Sequence, residues 1–122
     1  MIVCAIEDLL FSIKISTTAR QLGVSIYFER FRDRVLATIR EKQPSLVIFD
    51  LNSSRLDPMT VIAAMKADPK LSRIQTLGYV SHVDSEAIAA ARRAGIDQVM
   101  ARSAFTAQLP AILQSASSSS QQ

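Results

Sequence analysis

Asp50 closes an unbroken apolar run, Leu46-Val47-Ile48-Phe49, that follows Pro44-Ser45. Four large apolar side chains in succession suit a strand buried on both faces, as in parallel sheets flanked by helices. A carboxylate at the end of such a strand stands at the carboxyl edge of the sheet. That is where open α/β folds place their ligands and their chemistry. The plain alternative is an aspartate that starts a turn or caps a helix. A second acidic pair, Glu7-Asp8, ends the first apolar run, where it either joins a site or caps the helix that follows.

The elements that would position these acids are legible in outline. Five short apolar runs, Ile2 to Ile6, Val24 to Phe28, Leu46 to Phe49, Ile74 to Val80 and Gln98 to Ala101, read as strands. Helical stretches separate them. Phe11, Ile15, Thr18, Ala19 and Leu22 share one helical face, and Gly23 stops that helix. Phe31, Val35, Leu36 and Ile39 make a second stripe, ended by Pro44. Pro58 opens a third helix with Val61, Ile62 and Met65 inward, and Asp68-Pro69 close it. Asp84 caps a fourth, with Ile88 and Ala91 facing the core and Gly95 at its end. Phe105, Leu109, Ile112 and Leu113 give the fifth, which Pro110 either kinks or restricts at its start. This alternation predicts an α/β fold, a five-stranded parallel sheet between two helical layers joined by right-handed crossovers.

Composition bounds the function. The chain has 122 residues, enough for one domain, and 48% of them are apolar. The expected domain is 1-115. Residues 116-122, a Ser/Gln-rich tail with nothing to bury, are expected to be disordered. No apolar run approaches a membrane span, and the first run lacks the basic lead-in of a signal peptide. The single cysteine, Cys4, forms no internal disulfide and reads as a small buried hydrophobe in a reducing, cytoplasmic setting. The formal charge is +3, and Arg30, Arg32, Arg34 and Arg40 are interleaved with Glu29, Asp33 and Glu41. That reads as a solvated face; no nucleic-acid partner is expected. His82, the sole histidine, has no metal-ligand companion and reads as a loop residue.

In order and spacing these residues resemble the receiver domains of two-component response regulators, over nearly the whole chain. Glu7-Asp8 end the first run, Asp50 the third, Ser81 the fourth and Arg102 the fifth; Asp50-Leu51-Asn52 and the spacing from Gly95 to Arg102 also match. The resemblance implies a doubly wound (βα)5, flavodoxin-like three-layer sandwich and a signalling module rather than an enzyme. It implies Asp50 as the phosphoacceptor in a phosphorelay, with a histidine kinase or phosphotransfer protein as donor. Magnesium would be held by Glu7, Asp8, Asp50 and the carbonyl of Asn52, because a carboxylate attacking an anionic donor needs a divalent cation on hard oxygens. Ser81 and Arg102 would grip the phosphoryl group. Output would run to a downstream protein partner, or to a homodimer, through the fourth helix, fifth strand and fifth helix, where Ala87, Ala89, Ala90, Ala91 and Ala94 leave a smooth helix.

The departures from the family's pattern favour another reading. Arg102 replaces a lysine, and its planar fork is not a compact ammonium. Ser103-Ala104-Phe105 stands where the family has proline and an aromatic, and Val99 stands at the switching aromatic. The register of the first acids stays open: counting back from Gly23 offers Ile6 and Glu7 as an alternative to Glu7 and Asp8, and Val80 rivals Ser81. A degenerate pseudo-receiver, working as a docking or scaffold domain without phosphorylation, is the alternative. A small flavodoxin-like cofactor binder fits poorly, since Glu7-Asp8-Leu9-Leu10 would repel a phosphate.

Overall fold

The computed structural model describes residues 1–82 and 84–120, with side chains through Ser117. Its order is β1 (Ile2–Ala5), α1 (Leu9–Leu22), β2 (Ile26–Phe28), a 3₁₀ turn (Arg32–Arg34), α2 (Val35–Lys42), β3 (Leu46–Asp50), α3 (Pro58–Ala67), β4 (Gln75–Val80), α4 (Ser85–Ala94), β5 (Gln98–Ala101) and α5 (Arg102–Ser120). The strands form one parallel sheet in the order β2-β1-β3-β4-β5. The chain steps outward from β1 to β2, then crosses to β3 and continues the other way. The carboxyl ends of β1 and β3 therefore flank the point where strand order reverses, the crevice in which doubly wound folds carry their sites.

Alternation along the strands divides the core. Val3, Ala5, Val47 and Phe49 face α2, α3 and α4, where Val35, Ile39, Val61, Ile62, Met65 and Ala91 cover them. Ile2, Cys4, Ile6, Ile48, Leu77 and Tyr79 face α1 and α5, under Phe11, Ile15, Phe105, Leu109 and Leu113. The sheet is thus a middle layer between two helical ones, as the uninterrupted apolar run of β3 requires. Gly78, in the middle of β4, makes room for the loop after β3. A methyl group there would meet the Leu51 side chain at 2.6 Å, and Leu51 is buried.

Helix ends follow their local chemistry. Asp8 caps α1 by accepting from the Phe11 amide, Asp84 caps α4 by accepting from Ala87, and Gly23 and Gly95 end α1 and α4 at positive φ. One expectation needs correction. Phe31 does not join the core; it precedes the 3₁₀ turn and is 61% exposed. Pro110 lies inside α5, past its start at Arg102, and leaves one backbone hydrogen bond of the helix unmade. The same helix passes residue 115 and continues to Ser120, and Ala116 packs against the α1/α5 core. The last two residues, 121 and 122, lie outside the described part.

At the amino edge of the sheet, Asp97 ties three elements together. Its Oδ2 accepts from the Thr76 amide (2.8 Å), the Thr76 hydroxyl (2.9 Å) and Lys66 Nζ (3.0 Å), while its own amide donates to Thr76 Oγ1 (3.0 Å). Partial burial alone would raise its pKa. The hydrogen bonds from Thr76 and Lys66 outweigh that, and the carboxyl sits below the ordinary aspartate value. A carboxyl whose folded pKa is depressed stabilises the fold above its unfolded pKa and loses that contribution as pH falls through the folded one. Asp97→Ala should cost about 1–3 kcal/mol at neutral pH, as expected for hydrogen bonds to a charged acceptor. Urea unfolding should show the difference from wild type shrinking once pH drops below about 3.9, the ordinary aspartate value.

Candidate functional site

Asp50 is the last residue of β3 and lies abreast of Tyr79 in β4, half-buried at the carboxyl edge. Strand parity turns it toward the α1/α5 layer, the side of Ile48. Its Oδ1 accepts from the Asn52 amide at 3.0 Å, a turn that folds the chain back over the strand end. Burial pushes its pKa up. The Asn52 amide and the positive field of Arg102 pull it down, and Glu7 and Asp8 push it up again; the net shift is upward.

The register of β1 against β3 decides which groups stand beside this carboxyl. Ala5 pairs with Phe49, and there the pairing of the two strands ends; Ile6 and Asp50 are the next residues of each chain. Ile6 is wholly buried. An apolar side chain thus follows the paired part of β1, which is the arrangement that the count back from Gly23 describes. Glu7, one residue on, turns to the loop after β3: its Oε1 accepts from the Ser53 hydroxyl at 2.8 Å, and Arg55 Nε lies 3.7 Å from Oε2. Asp8 is occupied twice, as the cap of α1 and as the partner of Arg102, with Arg102 Nη2 3.6 Å from its Oδ2.

Arg102 follows β5 directly and opens α5. Its guanidinium lies over the Phe11 ring, 4.0 Å from the centroid, while it pairs with Asp8. A planar guanidinium can stack and pair at once, which a lysine ammonium cannot do with the same geometry. Under it, Phe11 meets Tyr79 edge-on at 5.0 Å, and Tyr79 stacks on Phe105 at 5.3 Å. Tyr79 is buried, which raises its phenol pKa. This aromatic cluster was legible in the sequence only as core.

Ser81 stands exposed just past β4, and its amide donates to Asn52 Oδ1 at 2.7 Å. The carboxamide of Asn52 thereby joins the two loops at the edge, a role that the expected carbonyl ligand does not include. Val80, the rival of Ser81, is buried at the strand end. His82 is exposed, and Cys4 is fully buried with its thiol pKa raised by that burial. Among the described residues, no three His, Cys, Asp or Glu side chains are placed to hold a metal ion. Of the expected set of Glu7, Asp8, Asp50 and Asn52, the carboxylates of Glu7 and Asp8 are turned to Ser53, Arg55 and Arg102, so their hard oxygens are engaged by other partners.

No family model and no curated protein matches the chain by sequence. Solved structures match it closely in shape. The receiver domain of a sensor histidine kinase from Pseudomonas aeruginosa PAO1, solved with magnesium in its active-site cleft, superposes with a TM-score of 0.81 at 15% identity over 96% of each chain. A response regulator from Hahella chejuensis gives 0.79 at 16% identity, covering 93% of this chain and 92% of its own. A phosphorylated cyanobacterial phytochrome response regulator gives 0.71 at 22%, covering 93% and 89%. The fold is the receiver-domain fold. Among the described residues no helix is long and apolar enough to cross a membrane.

The raised pKa of Asp50 makes its ionisation a cost to the fold. A carboxyl whose folded pKa exceeds its unfolded one favours folding while protonated, and that favour is lost as pH rises through the folded value. Asp50→Asn removes the cost and keeps an oxygen for the Asn52 amide. The variant should be more stable than wild type to urea at pH 7, with the advantage fading toward the ordinary aspartate pKa of about 3.9. Arg102→Ala should raise the Asp50 pKa further, read from its carboxyl carbon shift across pH. An unmoved pKa would remove Arg102 from the electrostatics of the site.

Proposed function

We propose that this chain is a receiver-fold signalling module that works by docking protein partners and does not need phosphate on Asp50. The observation that carries this reading is the fully buried Ile6 that follows the Ala5–Phe49 pair, where the strand leads toward Asp50. An apolar neighbour there supplies no ligand, and the remaining acids are already bonded to Ser53, Arg55, Arg102 and the cap of α1. The replacement of a lysine by Arg102, held over Phe11, supports the same conclusion. Docking, not catalysis, is then the activity, and the buried, unpaired Cys4 suits a cytoplasmic setting. Self-association or partner binding through α4, β5 and α5 belongs to this reading, with the alanines of α4 allowing close approach.

A second reading keeps Asp50 as phosphoacceptor from a histidine kinase or phosphotransfer protein within a two-component phosphorelay. The half-buried carboxyl at the strand reversal, within the field of Arg102, favours it. It requires Glu7 to leave Ser53 and Arg55, and Asp8 to release Arg102, before Glu7, Asp8, Asp50 and the Asn52 carbonyl could serve magnesium. Ser81 and Arg102 would then hold the phosphoryl oxygens. Incubation with acetyl phosphate and magnesium, followed by intact mass, separates the two. We expect no phosphoryl adduct, and no amide shifts at Glu7, Asp8 or Asp50 when millimolar magnesium is added. An adduct that is lost in Asp50→Asn would establish the second reading instead.

A further inference from the structure

At the amino edge of the sheet, on the side covered by α1 and α5, two strands begin with glutamine. Gln75 opens β4 abreast of Leu46, and Gln98 opens β5 abreast of Leu77. The two glutamines therefore stand on neighbouring strands, two residues apart in register, and both are exposed. Further along the strands the same face is apolar, built of Ile48, Leu77, Tyr79 and Met100. Neither carboxamide has a hydrogen-bond partner among the described residues.

The carboxyl-terminal half of α5 does not close over this edge. It brings Ile112 there, but beside it only the short side chains of Ala111, Ser115 and Ala116, and a cleft of ≈ 310 Å³ remains between helix and sheet. Leu46 and Leu77 give the sheet wall an apolar surface, and the two glutamines stand beside them. Among the described residues no charged side chain lines the cleft. A volume near the lower end of the range for ligand pockets, about 300–1,000 Å³, suits a small molecule. A slot between a sheet and a helix suits a flat one. A charged group would lose its water there without meeting a counter-charge. A carboxamide presents a donor and an acceptor side by side. Its planar complement is the edge of adenine, whose amino group and ring nitrogen glutamine meets with two parallel hydrogen bonds.

We propose that the cleft between α5 and the starts of β3, β4 and β5 is a binding site for a neutral adenine-type base, free or as its nucleoside. The ring lies between Leu46 and Leu77 on one side and Ile112 on the other. Its amino group donates to a glutamine carbonyl, and the adjacent ring nitrogen accepts from the amide of the same side chain. Gln75 and Gln98, on neighbouring strands, can each take one such edge. The short side chains of Ala111 and Ser115 leave the entrance through which the sugar reaches solvent. This site lies at the opposite end of the sheet from Asp50, so neither reading of that carboxyl enters it.

The test titrates the full chain with adenosine and follows amide resonances by NMR. Shifts should cluster in Leu46, Leu77 and Ile112 to Ala116, and in the side-chain amides of Gln75 and Gln98. Inosine, which carries an oxygen in place of the amino group, should bind about tenfold more weakly, the loss expected for one mismatched hydrogen-bond pair. Adenosine monophosphate should bind no more tightly than adenosine, because no charge in the cleft meets its phosphate. Gln98→Leu and Gln75→Leu should each weaken adenosine by about tenfold while far-ultraviolet spectra and urea midpoints stay near wild type, since both side chains are exposed. Ala111→Phe, which fills the entrance, should abolish binding. Absence of shifts at millimolar adenosine would overturn the proposal. So would equal binding of inosine, undiminished binding by both glutamine variants, tenfold tighter binding of the monophosphate, or shifts confined to the Asp50 edge.

Discussion

The carboxyl edge of this molecule depends on how β1 pairs with β3. Both are interior strands, buried on both faces, and their alternating side chains feed two separate cores. A slip of one residue would exchange Val3 and Cys4 between those cores, so the register is strongly fixed. Once Ala5 is opposite Phe49, everything after it is determined. Ile6 must continue the core, Glu7 falls at the strand exit, and Asp8 arrives where α1 needs a cap. The acids do not choose their positions; packing further down the strands does.

The same constraint explains Arg102. Asp8 and Arg102 open α1 and α5, the two helices on one side of the sheet, so their side chains meet above the aromatic cluster. Phe11 offers Arg102 a ring face and Asp8 offers it a carboxylate. Tyr79 and Phe105 support that ring from below. An exposed ion pair contributes little alone, typically below about 1 kcal/mol. Stacked on a ring that packs in the core, the guanidinium has a defined place, and it carries its charge to within reach of Asp50. Position, more than pairing energy, is what this contact supplies.

Much of this was legible from residue order. The five strands, the caps Asp8 and Asp84, the stops Gly23 and Gly95, and Pro58 at the start of α3 follow from local chemistry that needs no tertiary knowledge. Phe31 misled because helical spacing continues back from Val35, yet the chain enters α2 through a tight turn that leaves this ring outside. At the serine-rich end composition is silent about a helix already nucleated upstream and docked through Leu109, Leu113 and Ala116. The site was half legible. Asp50 and Arg102 could be placed by counting, but choosing between Glu7-Asp8 and Ile6-Glu7 needed the pairing of two strands more than 40 residues apart. The partners Ser53 and Arg55 lie in a loop whose path no local signal dictates.

Two aspartates at opposite ends of the sheet show what the fold does with charge. Asp97, at the amino edge, collects hydrogen bonds from Thr76 and Lys66 and is held below its ordinary pKa. Asp50, at the carboxyl edge, is more deeply placed, has the Asn52 amide as its hydrogen-bond donor, and is held above it. The first is a rivet, with its charge consumed by structure. The second is a carboxyl that structure has left unfinished, and a chain gains no stability from that. An apolar residue would continue the run of Leu46 to Phe49 without the cost. Carboxyls perturbed by burial cluster at functional sites, which is why both proposed readings centre on Asp50. That inference is indifferent to phosphate: a docking surface and a phosphoacceptor both need a carboxylate that the fold has not already spent. On the docking reading proposed above, what separates them is the apolar Ile6 that follows the Ala5–Phe49 pair.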